Sequence, residues 1–427
     1  MSSDCKHRLW ETNGSGETIQ IRTAAGDGEE EVDRISHLPD EVVHEILARL
    51  RSPKEAAKAS ILSQRWFKLW RSYPILEFRD TQIESTQSVK GFVVAAKEKF
   101  SRRSGDTLIS MEAVRIKFNG EKKWPVEICS AFLDDMLELA ANRSPPPQEI
   151  NIRAVFDINS DRVLNFDGSG TYSIPRGLLL PKHCHQFRLK ALNLDNCNFD
   201  QFKDINIDVN SVHSNPFVSI GNPLSVLSQY KVRFPDGGDR ILNSIIAGGA
   251  SCLWCLYLFH IVGIRRLQVR NLPNLKFLLI AQFPVEDLEI TGVPFMEDLY
   301  ISDAPLGGDF VVSSMQNLKG LSIHRACKLT EQKFDELISN SLSLESLSLG
   351  GLDKVQNLRI LNHDKLWKVD LTSWDELQVI EMNAPKLCHF RYFGRVDLFI
   401  KILVGASNYR KEVSMERCSG EVAYSKN

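Results

Sequence analysis

The chain has 427 residues, enough for more than one ordinary domain and for a sizeable core. Lys and Arg number 52 against 54 Asp and Glu, a formal net charge of −2, and no basic block stands out, so nucleic acid is excluded as the default partner. The opening stretch MSSDCKHRLWETNGSG has no apolar core and is not expected to act as a secretory signal, and the nine cysteines, scattered from Cys5 to Cys418, read as reduced thiols of the cytosol or nucleus.

Residues 1–33 are rich in Gly, Ser, Thr and Glu and read as a disordered segment. Helical signals begin at HLPDEVVHEILARL. Pro39 suits a first helical turn, and Asp40 and Glu41 suit the positive end of a helix dipole. Val43, Ile46, Leu47 and Leu50 fall at i, i+3, i+4 and i+7, which makes one apolar stripe. In RSPKEAAKASIL, Ser52, Pro53 and Glu55 form a capping box with the proline at its permitted place, and Ala56, Ala59 and Leu62 face inward. A third helix carries Trp66, Phe67, Leu69, Trp70 and Tyr73.

Residues 35–78 therefore read as three short helices, each about ten residues long and marginal alone. So small a unit buries only part of its apolar stripes, because its surface is large for its volume. Large side chains are left for a partner, each worth about 1.5 to 3 kcal/mol on full burial. Association costs several kcal/mol, so a handful of such anchors decides binding.

Beyond Asp80 the pattern mixes. Val89–Phe100 reads as a linker helix within 81–104, AVRIKF (113–118) and INI (150–152) as strands, and Pro125–Asn142 as a longer helix. From about residue 189 an apolar-x-x-apolar-x-apolar repeat dominates, first as Leu189, Leu192 and Leu194, then as Leu253, Leu256 and Leu258. Its central positions recur 10 or 11 residues apart, with longer gaps of 22 and 26. Leucine-rich repeats run about 20 to 29 residues, so a spacing of 11 reads as half of a coil with a short strand on each side. Helices at 239–248 and 330–340, the latter with Thr330 as cap, replace the second strand in some coils. The uncharged run 241–264 has a length that could span a bilayer, but Asn243, Ser244, Gly248, Gly249, Ser251 and His260 interrupt it; a helix, a glycine break and a buried strand is the better parse, and no membrane contact is expected.

Counting in steps near 22 links Leu256, Leu278, Leu299, Leu321, Leu347, Val369 and Phe390 as one row of strands. Side chains alternate across a strand, so the neighbours of these inward residues point out. The candidate binding face is Tyr257, Asp298, Tyr300, Ser322, Ser348, Lys368, Asp370, His389 and Arg391; for any one of them a solvated sheet surface is the plainer reading. Residues 200–235 lack clear repeat spacing, and a long irregular stretch inside an array reads as a degenerate coil, a binding loop or a damaged repeat.

ISHLPDEVVHEILARLRSPKEAAKASILSQRWFKLWRSYPILEF resembles an F-box, with LPDEVVHEIL, ASILSQRW and LW fitting the plant version. GIRRLQVRNLPNLKFLLI, LESLSL and APKLCHFRYFG resemble the repeats of plant F-box/leucine-rich-repeat proteins. The expected fold class is an α+β solenoid: a three-helix F-box at 34–80, then short parallel strands with some helices over 105–405, then a polar tail at 406–427. The resemblance implies a substrate receptor of an SCF-type ubiquitin ligase. Its F-box docks on a Skp-type adaptor, which links it to cullin and RING subunits, while the repeats present an unknown protein substrate. Carried over by motif, Leu38, Pro39, Ile46, Leu47, Leu50, Leu62, Ser63, Trp66 and Trp70 form or support the adaptor-facing surface; some of them must instead be the internal core of the three helices, a division the sequence does not make, with Trp70 the first candidate for the core. Nucleus or cytoplasm, or both, is the expected location.

The alternative is an F-box/repeat scaffold acting outside ubiquitination. An enzyme is not expected: no P-loop, G-x-S-x-G, H-E-x-x-H or kinase-like set is apparent, and Asp134 and Asp135 lie on a helix where a solvated face is the plain reading. No cofactor or metal is expected. Cys252-x-x-Cys255 lacks a second pair at zinc spacing, and His183-Cys184-His185 lacks further ligands nearby.

Overall fold

The computed structural model describes residues 38–49, 58, 61, 63–71, 75–80, 94, 98, 112–119, 125–141, 147–156, 171–176, 189–204, 224–313, 315–374, 376–394, 399–403, 412–416 and 422–425. The segment 1–33, the capping box at Ser52, and His183 to His185 lie outside them, as does the linker helix apart from Val94 and Glu98.

Among the described residues two helices come first, α1 (Asp40–Arg49) and α2 (Gln64–Arg71), and the helix expected between them lies outside the described residues apart from Lys58 and Ile61. Their apolar stripes meet in a small cluster of Val43, Leu47, Trp66 and Leu69, with Leu38, Ile46 and Trp70 packed partly buried against it. Ser63 caps α2, its hydroxyl accepting from the Trp66 amide at 3.1 Å.

One long parallel sheet carries the rest. In spatial order it runs β1 (Ile75–Arg79), β2 (Ala113–Asn119), β3 (Glu149–Val155), β4 (Ala191–Asn198), β5 (Val226–Arg233), β6 (Cys255–Val262), β7 (Phe277–Ala281), β8 (Asp298–Ser302), β9 (Gly320–His324), β10 (Ser346–Gly350), β11 (Lys368–Trp374), β12 (His389–Gly394) and β13 (Glu412–Glu416). Spatial order follows chain order throughout, as a solenoid requires. A fourteenth strand, Tyr172–Ser173, pairs with β4 beside the row. The opposite side of the coils is made of two smaller parallel sheets. One joins Arg266–Arg270, Asp287–Thr291 and Phe310–Val312. The other joins Asn357–Ile360, Val379–Asn383, Phe399–Leu403 and Val422–Ser425. Among the described residues three longer helices complete the coils: α3 (Val126–Ala141), α4 (Asp239–Gly248) and α5 (Glu331–Ser339). Thus the run 241–264 is a helix, a turn and a strand, and no described helix is long and apolar enough to cross a membrane.

From β5 to β13 each coil therefore has two short strands or a strand and a helix, as a half-period of 11 residues leads one to expect. Leu256, Leu278, Leu299, Leu321, Leu347, Val369 and Phe390 stand in exact register along β6–β12. They belong to one continuous core that runs from Leu76 to Tyr392. The coils turn away from the sheet through a column of left-handed residues, Asn196, Lys231, His260, Gln282, Asp303 and Arg325, with φ from 49° to 57°. Gly351 continues that column at φ 60°, where a side chain costs about 1 to 2 kcal/mol.

The repeat boundaries differ from the expected ones at three places. Ile75–Arg79, placed with the three helices, is the first strand of the sheet: Leu76 and Phe78 are buried and Glu77 points outward, a period of two rather than 3.6. The irregular segment 200–235 contributes β5 in full, while its residues 205–223 lie outside the described ones. Strands at 412–416 and 422–425 carry both sheets past residue 405 into the expected polar tail.

Candidate functional site

The N-terminal pair of helices has an inner and an outer side. Of the residues expected to face an adaptor, Leu47 and Trp66 are buried at 3% exposure and hold the two helices together. Trp70, expected in the core, is instead half-buried, its ring 6.2 Å from that of Phe67. The exchange follows from α1: Val43 and Leu47 cover Trp66 and leave Trp70 at the margin. Pro39 is exposed, and Leu38, Ile46 and Ser63 are partly so; Leu50 and Leu62 lie outside the described residues. Val42 and Phe67 are exposed at 41% and 45%, and neither was singled out as an adaptor contact. Pro39, just before α1, and Val42 and Ile46 on it are spaced i, i+3 and i+7, so they share a face. Arg65 ties the entry of α1 to α2 by donating to the Leu38 carbonyl and, at 2.5 Å, to the Asp40 carboxylate.

The outer face of the long sheet is a lattice of three residue rows. All nine candidate face residues stand on it. Asp298, Lys368 and His389 are in the first row. Tyr257, Tyr300, Ser322, Ser348, Asp370 and Arg391 are in the second, with Leu279 between the two tyrosines. The third row was not foreseen: it runs Arg79, Lys117, Arg153, Asp195, Tyr230, Phe259, Ala281, Ser302, His324, Gly350, Thr372 and Phe393. These residues follow the second inward apolar residue of each strand, and continued alternation was the signal for them.

Electrostatics differ along this face. At its C-terminal end Asp370 is buried rather than displayed, and its carboxylate takes Lys368 at 3.3 Å, His389 at 3.2 Å and Arg391 at 3.1 Å. It orients two cations and an imidazole and is not itself a free contact. In the middle, His324 lies beside the Tyr300 ring and 3.0 Å from the Ser348 hydroxyl. Burial, and then the nearby Arg325, hold its imidazole below the ordinary value of 6.5. Arg325 in turn pairs with Asp303 and keeps that carboxyl below its usual range. Asp134, weighed as an acid, accepts the Tyr172 hydroxyl at 2.7 Å, a structural bond. Cys252 and Cys255 are free thiols, and no cluster that could hold a metal occurs among the described residues.

Two family models match these two parts. Residues 35–78 match the F-box domain, and 261–427 match the LRR domain described as At1g61320/AtMIF1. The chain therefore joins an F-box to leucine-rich repeats, the combination found in plant F-box/leucine-rich-repeat proteins. The F-box match runs through β1, so the domain ends inside the first strand of the sheet. An FBD-associated F-box protein of Arabidopsis thaliana, At4g10400, is 23% identical over 411 residues, which is 89% of this chain and 91% of that protein. The F-box/FBD/LRR-repeat protein At5g53840 of the same plant is 40% identical over 62 residues, 14% of either chain. F-box/LRR-repeat protein 13, also from Arabidopsis thaliana, is 39% identical over 66 residues, 16% of this chain and 14% of that one. An F-box joined to leucine-rich repeats points in general to an SCF substrate-adaptor role, and such proteins are generally non-catalytic.

Proposed function

We propose that this F-box/leucine-rich-repeat chain is the substrate-recognition subunit of an SCF ubiquitin ligase. The F-box holds a Skp-type adaptor, which brings cullin and RING subunits, and the repeats hold a target protein for ubiquitination and degradation. The observation that carries the reading is the division within the F-box. Four side chains form its own core, while Pro39, Val42 and Phe67 stay exposed on short helices that need outside support. The chemistry belongs to the partners, and the site of action is the nucleus, the cytoplasm or both.

The test is adaptor pull-down. Leu38→Ala with Pro39→Ala is expected to weaken capture of a Skp-type adaptor about tenfold, with the circular dichroism of the repeats unchanged. Undiminished capture by a folded variant rejects the assignment. Capture of the adaptor without cullin favours a scaffold outside ubiquitination.

A further inference from the structure

The N-terminal half of the sheet face carries a feature that no expected site residue touches. A cavity of about 600 Å³ opens on the outer face of β1–β5. Its charged lining is Arg79, Lys117 and Arg153 against Asp195 alone. One further carboxylate serves two of these cations: Glu77 lies 2.8 Å from Arg79 and 3.5 Å from Lys117. Arg153 reaches Asp195 only at 3.4 Å, and its Nε is shut off from water without a hydrogen-bond partner among the described residues. Three cations thus share two carboxylates. Asn119, Asn151 and Asn193 add neutral amides to the wall. A site with surplus guanidinium and ammonium donors and little competing acid is complementary to an anion.

The face changes at Tyr230. This residue lines the cavity, and its ring also stacks on Phe259 at 4.7 Å and 7°. Tyr257, Phe277, Leu279 and Tyr300 follow on the same face of β6–β8, all partly exposed. In the three outer rows of β5–β8 the sole charged residue is Asp298. An anion-binding cavity therefore runs directly into an apolar, aromatic strip.

We propose that this two-part surface binds an extended segment of a protein target in which an acidic side chain stands next to apolar or aromatic ones. The carboxylate enters the cavity between Lys117 and Arg153, and the apolar side chains lie across Tyr230, Phe259, Tyr257 and Tyr300. The proposal rests on the reading that the repeats hold a target. From β3 to β8 the strands span about 24 Å at their usual spacing, the reach of an extended segment of about seven residues. A polyanion fits less well, because in the three outer rows the cations stop where the aromatic strip begins, and beside the strip the Lys231 ammonium already lies 5.8 Å from the centre of the Tyr230 ring.

The test uses the full chain co-purified with a Skp-type adaptor. It is panned against a displayed library of random short peptides, and an enriched peptide is synthesised with a fluorophore and titrated by anisotropy. Enriched sequences are expected to pair Asp or Glu with aromatic or aliphatic residues, and added salt is expected to weaken their binding. Lys117→Glu is expected to raise Kd about tenfold or more, and Lys117→Gln by a smaller factor. Phe259→Ala is expected to weaken the same peptide without altering its salt dependence. Enrichment of neutral or basic peptides overturns the proposal. So does unchanged affinity in a Lys117→Gln chain that melts with the parent. Adaptor pull-down reports on the F-box separately, so its success beside failure here discards this surface and leaves the ligase reading standing.

Discussion

Gln229 occupies a core position of β5 whose neighbours in register are Leu194 on β4 and Leu258 on β6. It is fully buried, and neither its amide nitrogen nor its oxygen has a partner among the described residues. Burying an unpaired amide costs about 1 to 3 kcal/mol, whereas a leucine there extends a row of leucines. Gln229→Leu is therefore expected to stabilise the repeats by about that amount, read as a higher denaturant midpoint at unchanged slope; a lower midpoint contradicts it. His324 gives a pH-dependent counterpart. Its folded pKa is depressed, so between that value and 6.5 the unfolded chain binds the proton that the folded chain refuses. Its contribution to stability is present above pH 6.5 and is lost as pH falls through the folded pKa. The difference in stability between parent and His324→Gln is expected to shift over that acidic window and to stay flat above it; a difference that does not vary with pH rules this out.

At the scale of elements, two adjacent aromatic residues of α2, Trp66 and Phe67, are expected to separate fold from function. Trp66 fills the cluster between the helices, and Trp→Ala truncations of core sites cost about 3 to 5 kcal/mol. Helices this short cannot absorb that loss. Trp66→Ala is expected to abolish hydrogen-exchange protection over α1 and α2 while β6–β12 keep theirs. Phe67→Ala is expected to keep that protection and to weaken capture of the Skp-type adaptor; lost protection in Phe67→Ala contradicts the division. This division was not legible from spacing, because Trp66 and Trp70 lie one turn apart on the same stripe and only the position of Val43 and Leu47 selects between them. The solenoid was legible, since its inward leucines repeat with each half-coil whatever the loops do. β5 was hidden because Gln229 stands where the pattern needs an apolar residue. The left-handed Lys231 then shifts the alternation by one before Val232 resumes it. The cavity at Arg79, Lys117 and Arg153 was hidden for another reason. Those residues are 36 to 38 positions apart in the chain, and only strand register brings them into one row.

Across the whole molecule, the join between F-box and sheet is short. α2 ends at Arg71 and β1 begins at Ile75, whose strand pairs with β2 over five residues. β1 also contributes Arg79 to the cavity. The element that follows the helices proposed to hold the adaptor is thus itself part of the sheet proposed to face the target. A ligase needs its target held at a set distance and angle from the distant catalytic subunit, and a flexible joint lets the bound target sample wrong positions. Inserting a Gly-Ser segment between Arg71 and Ile75 is expected to leave adaptor capture and target binding near the parent values. Ubiquitin transfer to the bound target, measured in a reconstituted complex, is expected to fall severalfold. Transfer that stays at the parent rate while the insert lengthens shows that the join does not set the geometry. Loss of adaptor capture on insertion shows instead that β1 supports the F-box helices directly.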